Sequence, residues 1–227
     1  MKIGYHLMTA MCLVTFGTSV ALAEPASKFS AQASTLQLVP PSSSLNWTTV
    51  LRTTIKTPNK KDLLVGLSFE TGIYTQTEVK SKGGNTDTAS SGASLQARIL
   101  VDGLVYGAYP RWVVYDSRSQ ALSATLGGVI QSCRDSNSDG VITVGDECVV
   151  TDEVINLILK TMAAHHYNFL VANLVSGVHL IDVQVKIESV TQAGAGSASA
   201  TATVGQGTLT VEEVRATNLP NGIEFLQ

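Results

Sequence analysis

Between Cys133 and Cys148 the chain concentrates oxygen-bearing side chains at a regular spacing. Counting Asp135 as position 1, they fall at 3 (Asn137), 5 (Asp139), 9 (Thr143) and 12 (Asp146), with Gly140 at 6 and apolar Ile142 at 8. Calcium is a hard cation that takes about six to eight oxygens. A loop that wraps it needs ligands at alternate positions, a sharp turn at the sixth and a carboxylate to close. Glycine makes such a turn cheaply because it has no Cβ. Carboxylates gathered in this way repel one another until a cation sits among them. The spacing therefore points to one calcium site, with Ile142 turned inward as an anchor. The same composition also suits a plain solvated turn, since Asp, Asn, Ser and Gly all favour turns.

The run Asp-x-Asn-x-Asp-Gly-x-Ile-x-x-x-Asp over residues 135–146 resembles the calcium loop of EF-hand and dockerin modules. The resemblance implies Asp135, Asn137, Asp139 and Asp146 as side-chain ligands, Val141 through its carbonyl, and Thr143 directly or through a water. It stops there, because the loop has no second copy and residues 123–131, with Gly127-Gly128, make a poor helix before it. One isolated loop inserted into another fold is expected. Asp in place of the longer Glu at the closing position predicts modest affinity, about 0.1–1 mM, which calcium outside a cell would fill.

The N-terminus supplies the compartment that such a site needs. Lys2, an apolar run from Leu7 to Val20 and the small-residue signal Ala21-Leu22-Ala23 read as a secretory signal peptide over residues 1–23. Cys12 follows Met11 within the apolar run, which does not fit a lipid-attachment cysteine. Export to the periplasm or the cell exterior is expected. Processing leaves Cys133 and Cys148, and an even pair in an exported chain reads as a disulfide, with two free thiols as the alternative. Closing that loop contributes about 3 kcal/mol on the chain-entropy model, and it would gather the ligands before the metal arrives. Loss of Lys2 takes the net charge from −3 to −4. A mildly acidic chain has no electrostatic footprint for nucleic acid. Outside the signal, no stretch approaches the ~20 apolar residues of a transmembrane helix.

The elements around the loop read as strands. Residues 24–46, rich in Ser, Ala, Pro and Gln, form an extended lead-in. Period-two alternation then marks strands at 51–55, 63–73, 95–101, 111–115, 121–126, 167–171, 181–187 and around 209–211. Lys80–Ser94 and Ala193–Ala202 read as polar or small-residue excursions, and the pattern slips at Glu212-Glu213 as at a bulge. Thr151 followed by Asp152-Glu153, with Val154, Leu157, Ile158 and Met162 at helical spacing, predicts a short helix over 152–163, although Ile155, Leu157 and Leu159 also fit a strand. The expected fold is all-β: a β-sandwich of jelly-roll type over residues 47–227, with the loop 133–148 inserted and one short helix. The stretches 178–188 and 207–215 are similar to uncharacterised exported bacterial β-sandwich proteins.

Other chemistry is thin. The residues after the signal include three histidines, His165, His166 and His179, and no Gly-x-Ser-x-Gly turn. His165 and His166, adjacent on a strand, point to opposite faces and lack partners at ligand spacing. Glu70, Asp102 and Asp116 occupy ordinary strand or turn positions, leaving paired carboxylates for glycoside cleavage as a remote option. Tyr106, Tyr109, Trp112 and Tyr115 either fill the core or stack on a sugar. The expected function is non-enzymatic: a calcium-binding surface, matrix or assembly component, with a protein or glycan partner at the cell exterior. A carbohydrate-binding module and a hydrolase are the alternatives.

Overall fold

Alternation along an extended backbone gives each strand one face to bury, and two sheets laid face to face bury both. The computed structural model describes residues 29–34 and 46–214. The signal peptide and the rest of the lead-in lie outside them. In chain order the strands are β1 (Phe29–Ser34), β2 (Thr48–Thr57), β3 (Lys61–Ser81), β4 (Asn85–Val101), β5 (Val113–Leu126), β6 (Val129–Cys133), β7 (Cys148–Thr151), β8 (Glu153–Leu174), β9 (Gly177–Ala193) and β10 (Ser197–Val214). One sheet runs β1-β10-β3-β8 and the other β2-β9-β4-β5, all neighbours antiparallel. This interleaving, with the two sheets alternating through most of the chain, is jelly-roll topology. The third sheet, β6-β7, pairs only with itself and carries the acidic loop at its tip.

Three expectations give way to longer strands, and a fourth, the bulge, lies elsewhere. Residues 152–163 are not a helix: they begin β8, which pairs with β3 from Ser81↔Glu153 to Leu63↔Val171. The spacing of Val154, Leu157, Ile158 and Met162 suits a helix, but the long edge of β3 offers every second backbone group of this segment a ladder partner. The short helix is instead α1 (Val144–Glu147), inside the loop. Lys80–Ser94 collapses to a tight turn between β3 and β4, and 193–202 to a turn at 194–196 before β10. The bulge in β10 lies between Val204 and Gly207 rather than at Glu212-Glu213.

The core has two kinds of filling. At one end Leu63, Val65, Leu67 and Phe69 meet Leu95, Ile99, Phe169, Ile181, Val183, Val185, Leu209 and Val211, all essentially buried. At the other end the inward row of β3 continues as Thr71, Ile73, Thr75 and Thr77, facing Ala93, Ser91 and Ala89 of β4. There Gln120 of β5 spans the layers: it accepts from the Thr75 hydroxyl and donates to Thr77 Oγ1 and to the carbonyl of Leu157. The boundary falls at a bulge in β5. Leu95 opposes Asp116 and Gln96 opposes Val114, so Tyr115 is the extra residue and turns inward.

Candidate metal centre

The hairpin β6-β7 places its two cysteines directly across from one another, and Cys133 and Cys148 are joined by a disulfide. Its root is tight. Gly128 has a φ of 89°, and a Cβ there would meet Val150, Lys82 and the carbonyl of Thr151. From this base the loop turns back on itself through side-chain-to-backbone hydrogen bonds. The amide of Asp139 donates to Asn137 Oδ1 (2.9 Å), that of Val141 to Asp139 Oδ1 (2.7 Å), and that of Gly140 to Asp135 Oδ2 (3.0 Å). Gly140 takes a φ of 80°, the left-handed conformation its position requires. Asn137 also donates through Nδ2 to Asp139 Oδ2. Positions 1, 3, 5 and 6 are thus linked as one turn.

Two features of the loop were not legible in its spacing. The carboxylate that folds back into it belongs to Glu147, one place after the expected closing residue. Glu147 is buried; its Oε1 accepts from the amides of Ser136 and Asn137, and its Oε2 from the amide of Thr143 (2.8 Å). These amide hydrogen bonds, that from Thr143 foremost, hold the carboxyl below its usual range. Asp146 is exposed, with its amide donating to the carbonyl of Thr143. The only sequence signal for Glu147 is its place beside Cys148, in the first turn of α1. The second feature is Ile142, which is 51% exposed and does not anchor the loop. The disulfide and Glu147 occupy that role.

Asp135 provides a test of fit to a cation. Its Oδ2 is held by Gly140, while its Oδ1 is buried with no hydrogen-bond partner. A carboxylate oxygen withdrawn from water without a donor is unfavourable, and a hard cation is the partner that such an oxygen accepts. Among the described residues no three His, Cys, Asp or Glu side chains are gathered at metal-binding distance. The implied set is mixed, drawing on the Asn137 amide oxygen, the Thr143 hydroxyl and the Val141 carbonyl beside the carboxylates.

The remaining candidates separate in space. Tyr115 is in the core at 7% exposure, stacked on Phe69 with ring centroids 4.1 Å apart. Its hydroxyl accepts from the amide of Phe69 and reaches the carbonyls of Leu67 and His165. Burial pushes that hydroxyl up to about 12, against the opposing hydrogen bond from Phe69. Tyr109 and Trp112 are exposed, and the Tyr106 side chain lies outside what is described. The aromatic group is therefore divided between core and surface. Trp47 lies apart beneath the Arg98 guanidinium, 4.2 Å from the ring centre. Asp116 accepts from the Thr71 hydroxyl, with His165 Nε2 3.5 Å away, whereas Asp102 accepts from His179 Nδ1 and the Leu180 amide. The two carboxylates are committed to different partners. His166 bonds Asn168 while His165 faces inward, so the pair diverges across the strand. No helix among the described residues is long and apolar enough to cross a membrane.

No protein-family model, curated protein or solved structure matches the chain.

Proposed function

We propose that residues 135–146 bind one calcium ion and that the protein serves, outside the cytoplasm, as a non-enzymatic surface, matrix or assembly component. The observation that carries the metal assignment is the Asp135 carboxylate, one oxygen fixed by the Gly140 amide and the other buried without a partner. Asp135, Asn137, Asp139, the Val141 carbonyl, Thr143 and Asp146 would hold the ion. Bound calcium neutralises their mutual repulsion, and the protein supplies the geometry: Glu147 draws in the amides of Ser136, Asn137 and Thr143, and the disulfide closes the base. The role is bracing, because the ion stabilises whatever conformation binds it, by an amount that grows with the logarithm of its free concentration above the dissociation constant. A non-enzymatic reading is supported by the two carboxylates having no common partner: Asp116 accepts from the Thr71 hydroxyl, while Asp102 is taken up by His179 and the Leu180 amide.

Calorimetric titration with calcium tests the assignment. One site at about 0.1–1 mM is expected, with heat abolished in Asp135→Asn, which keeps the side-chain shape and removes the charge. Heat that survives in that variant, or none from the native sequence, overturns it.

A further inference from the structure

The edge of β8 is unusual in what it leaves uncovered. Near its end the edge is closed: Tyr109 and Leu170 exchange amide-to-carbonyl hydrogen bonds of 2.7 and 2.8 Å. That exchange also fixes the parity of the strand. Leu170 turns its N–H and C=O away from β3, so with no register shift between 153 and 171 the even-numbered residues all do the same. From 154 to 168 these groups have no strand partner among the described residues. Side chains on both faces of this free run are apolar. Val154, Ile158 (48% exposed) and Met162 (73%) point outward, while Ile155, Leu157 and Leu159 lie at the open mouth between β8 and β5. Natural edges are protected by charges, prolines, bulges or brevity. Between 154 and 164 this one has a single charge, Lys160, and no proline.

The geometry points to a second copy of this chain as the occupant: we propose that β8 pairs with β8 of a partner, antiparallel, about a two-fold axis at Ile158. The inference deepens the assembly reading above but rests on β8 and not on the calcium loop. Pairing about Ile158 sets Val154 opposite Met162, Asn156 opposite Lys160 and Ile158 opposite itself, all even-numbered, so the outward backbone groups meet as hydrogen-bonded pairs. On the inward face Leu157 meets Leu159, and Ile155 meets Thr161. No like charges oppose one another. The acidic start of each strand, Asp152-Glu153, comes diagonally against the His165-His166 end of the other, whereas parallel pairing would set each end beside its twin. A partner of any other sequence would need apolar residues on both faces and a polar group to meet Lys160, which β8 itself supplies. The two-fold contact is self-complementary and closes at two chains.

Sedimentation of the full protein over a range of concentrations is the first test, with a reversible dimer expected. Ile158→Lys places two ammonium groups together on the axis and weakens the dimer on the order of a hundredfold. Because residue 158 is half-exposed, an unchanged circular dichroism spectrum checks that the variant folds. Register is read by oxidation: Ile158→Cys forms a disulfide-linked dimer, and Val154→Cys, displaced from its own copy along the strand, does not. A monomer at all concentrations overturns the proposal. So does equal crosslinking at 154 and 158, open-ended polymers, or a dimer that tolerates Ile158→Lys and disappears when residues 24–46 are removed. Chelation of calcium leaves the dimer intact, so the two proposals fail separately.

Discussion

The two ends of the sandwich share the same strands but are held by different forces. At the end built on Leu63 to Phe69, side chains from both sheets interlock and stability comes from apolar area withdrawn from water. At the end built on Thr71 to Thr77, the same inward row carries hydroxyls, the facing strand carries Ala and Ser, and Gln120 ties the layers by hydrogen bonds. A hydrogen bond contributes little net because water offers the unfolded chain an equivalent one, yet a buried group left without its partner costs much more. The apolar end should therefore respond to lost volume, and the polar end to lost pairing.

Phe169→Ala should have the largest effect. Phe169 is fully buried between Val65 and the facing sheet, and its truncation should cost about 4 kcal/mol in urea unfolding. A cost below about 1 kcal/mol would mean that the apolar end is loosely packed and the contrast false. Gln120→Leu should cost about 2 kcal/mol by stranding the Thr75 and Thr77 hydroxyls. Adding Thr75→Val and Thr77→Val should recover most of that loss, since matched removal of partners is nearly neutral. If the triple variant stays as unstable as the single one, volume rules at both ends.

The smallest effect concerns a polar tie inside the apolar end. His179 sits against two acceptors, Asp102 Oδ2 (2.8 Å) and the carbonyl of Val175 (2.9 Å), an arrangement that both ring nitrogens satisfy only when the ring is protonated. Burial alone lowers its pKa. The hydrogen bonds to Asp102 and Val175 and the charge of Asp102 outweigh burial and raise it above 6.5. For Asp102, burial acts upward, but the His179 and Leu180 hydrogen bonds bring the carboxyl below its ordinary value. A raised histidine stabilises the fold fully below about pH 6.5 and loses that contribution as pH rises through its folded-state pKa. A lowered aspartate stabilises above about pH 3.9 and loses its share as pH falls through its own. Urea midpoints should thus be highest near pH 5 and fall toward pH 8.5. Asp102 is half-exposed, so solvent screening limits the drop to a few tenths of a kcal/mol. His179→Gln should flatten the alkaline limb, and an unchanged slope in that variant would dissociate the tie from pH.

The same contrast explains what was legible in the sequence. Strands of the apolar end alternate visibly, as at Ile181, Val183, Val185 and Ile187, because their buried residues are apolar. Strands of the polar end bury Thr, Ser and Asp, which read as solvent-facing. Asp87, buried where β4 begins, accepts from the amides of Lys80, Ala195 and Gly196, yet lies in a stretch that looks like loop. The upper half of β8 misled in the opposite sense, since apolar residues on both faces fit helical spacing as well as strand alternation. The turn over 135–146 was legible because its Asp, Asn and Gly residues are placed by local spacing and bond neighbouring backbone amides. Glu147 escaped because it works through amides on the far side of the turn, while the choice that the sequence left open for Tyr115, core or surface, is decided by a bulge.

The chain enters the hairpin at Val129 and leaves it at Thr151, two residues that face each other across the strand pair. Everything between them could be exchanged for a short turn without altering the length that β5 and β8 must span. In modular terms the loop is a cassette: its two ends sit together, so its length and sequence can change without moving the strands of the sandwich. For an engineer the same junction is a graft point, where a foreign loop inherits a closed base at one end of the sandwich.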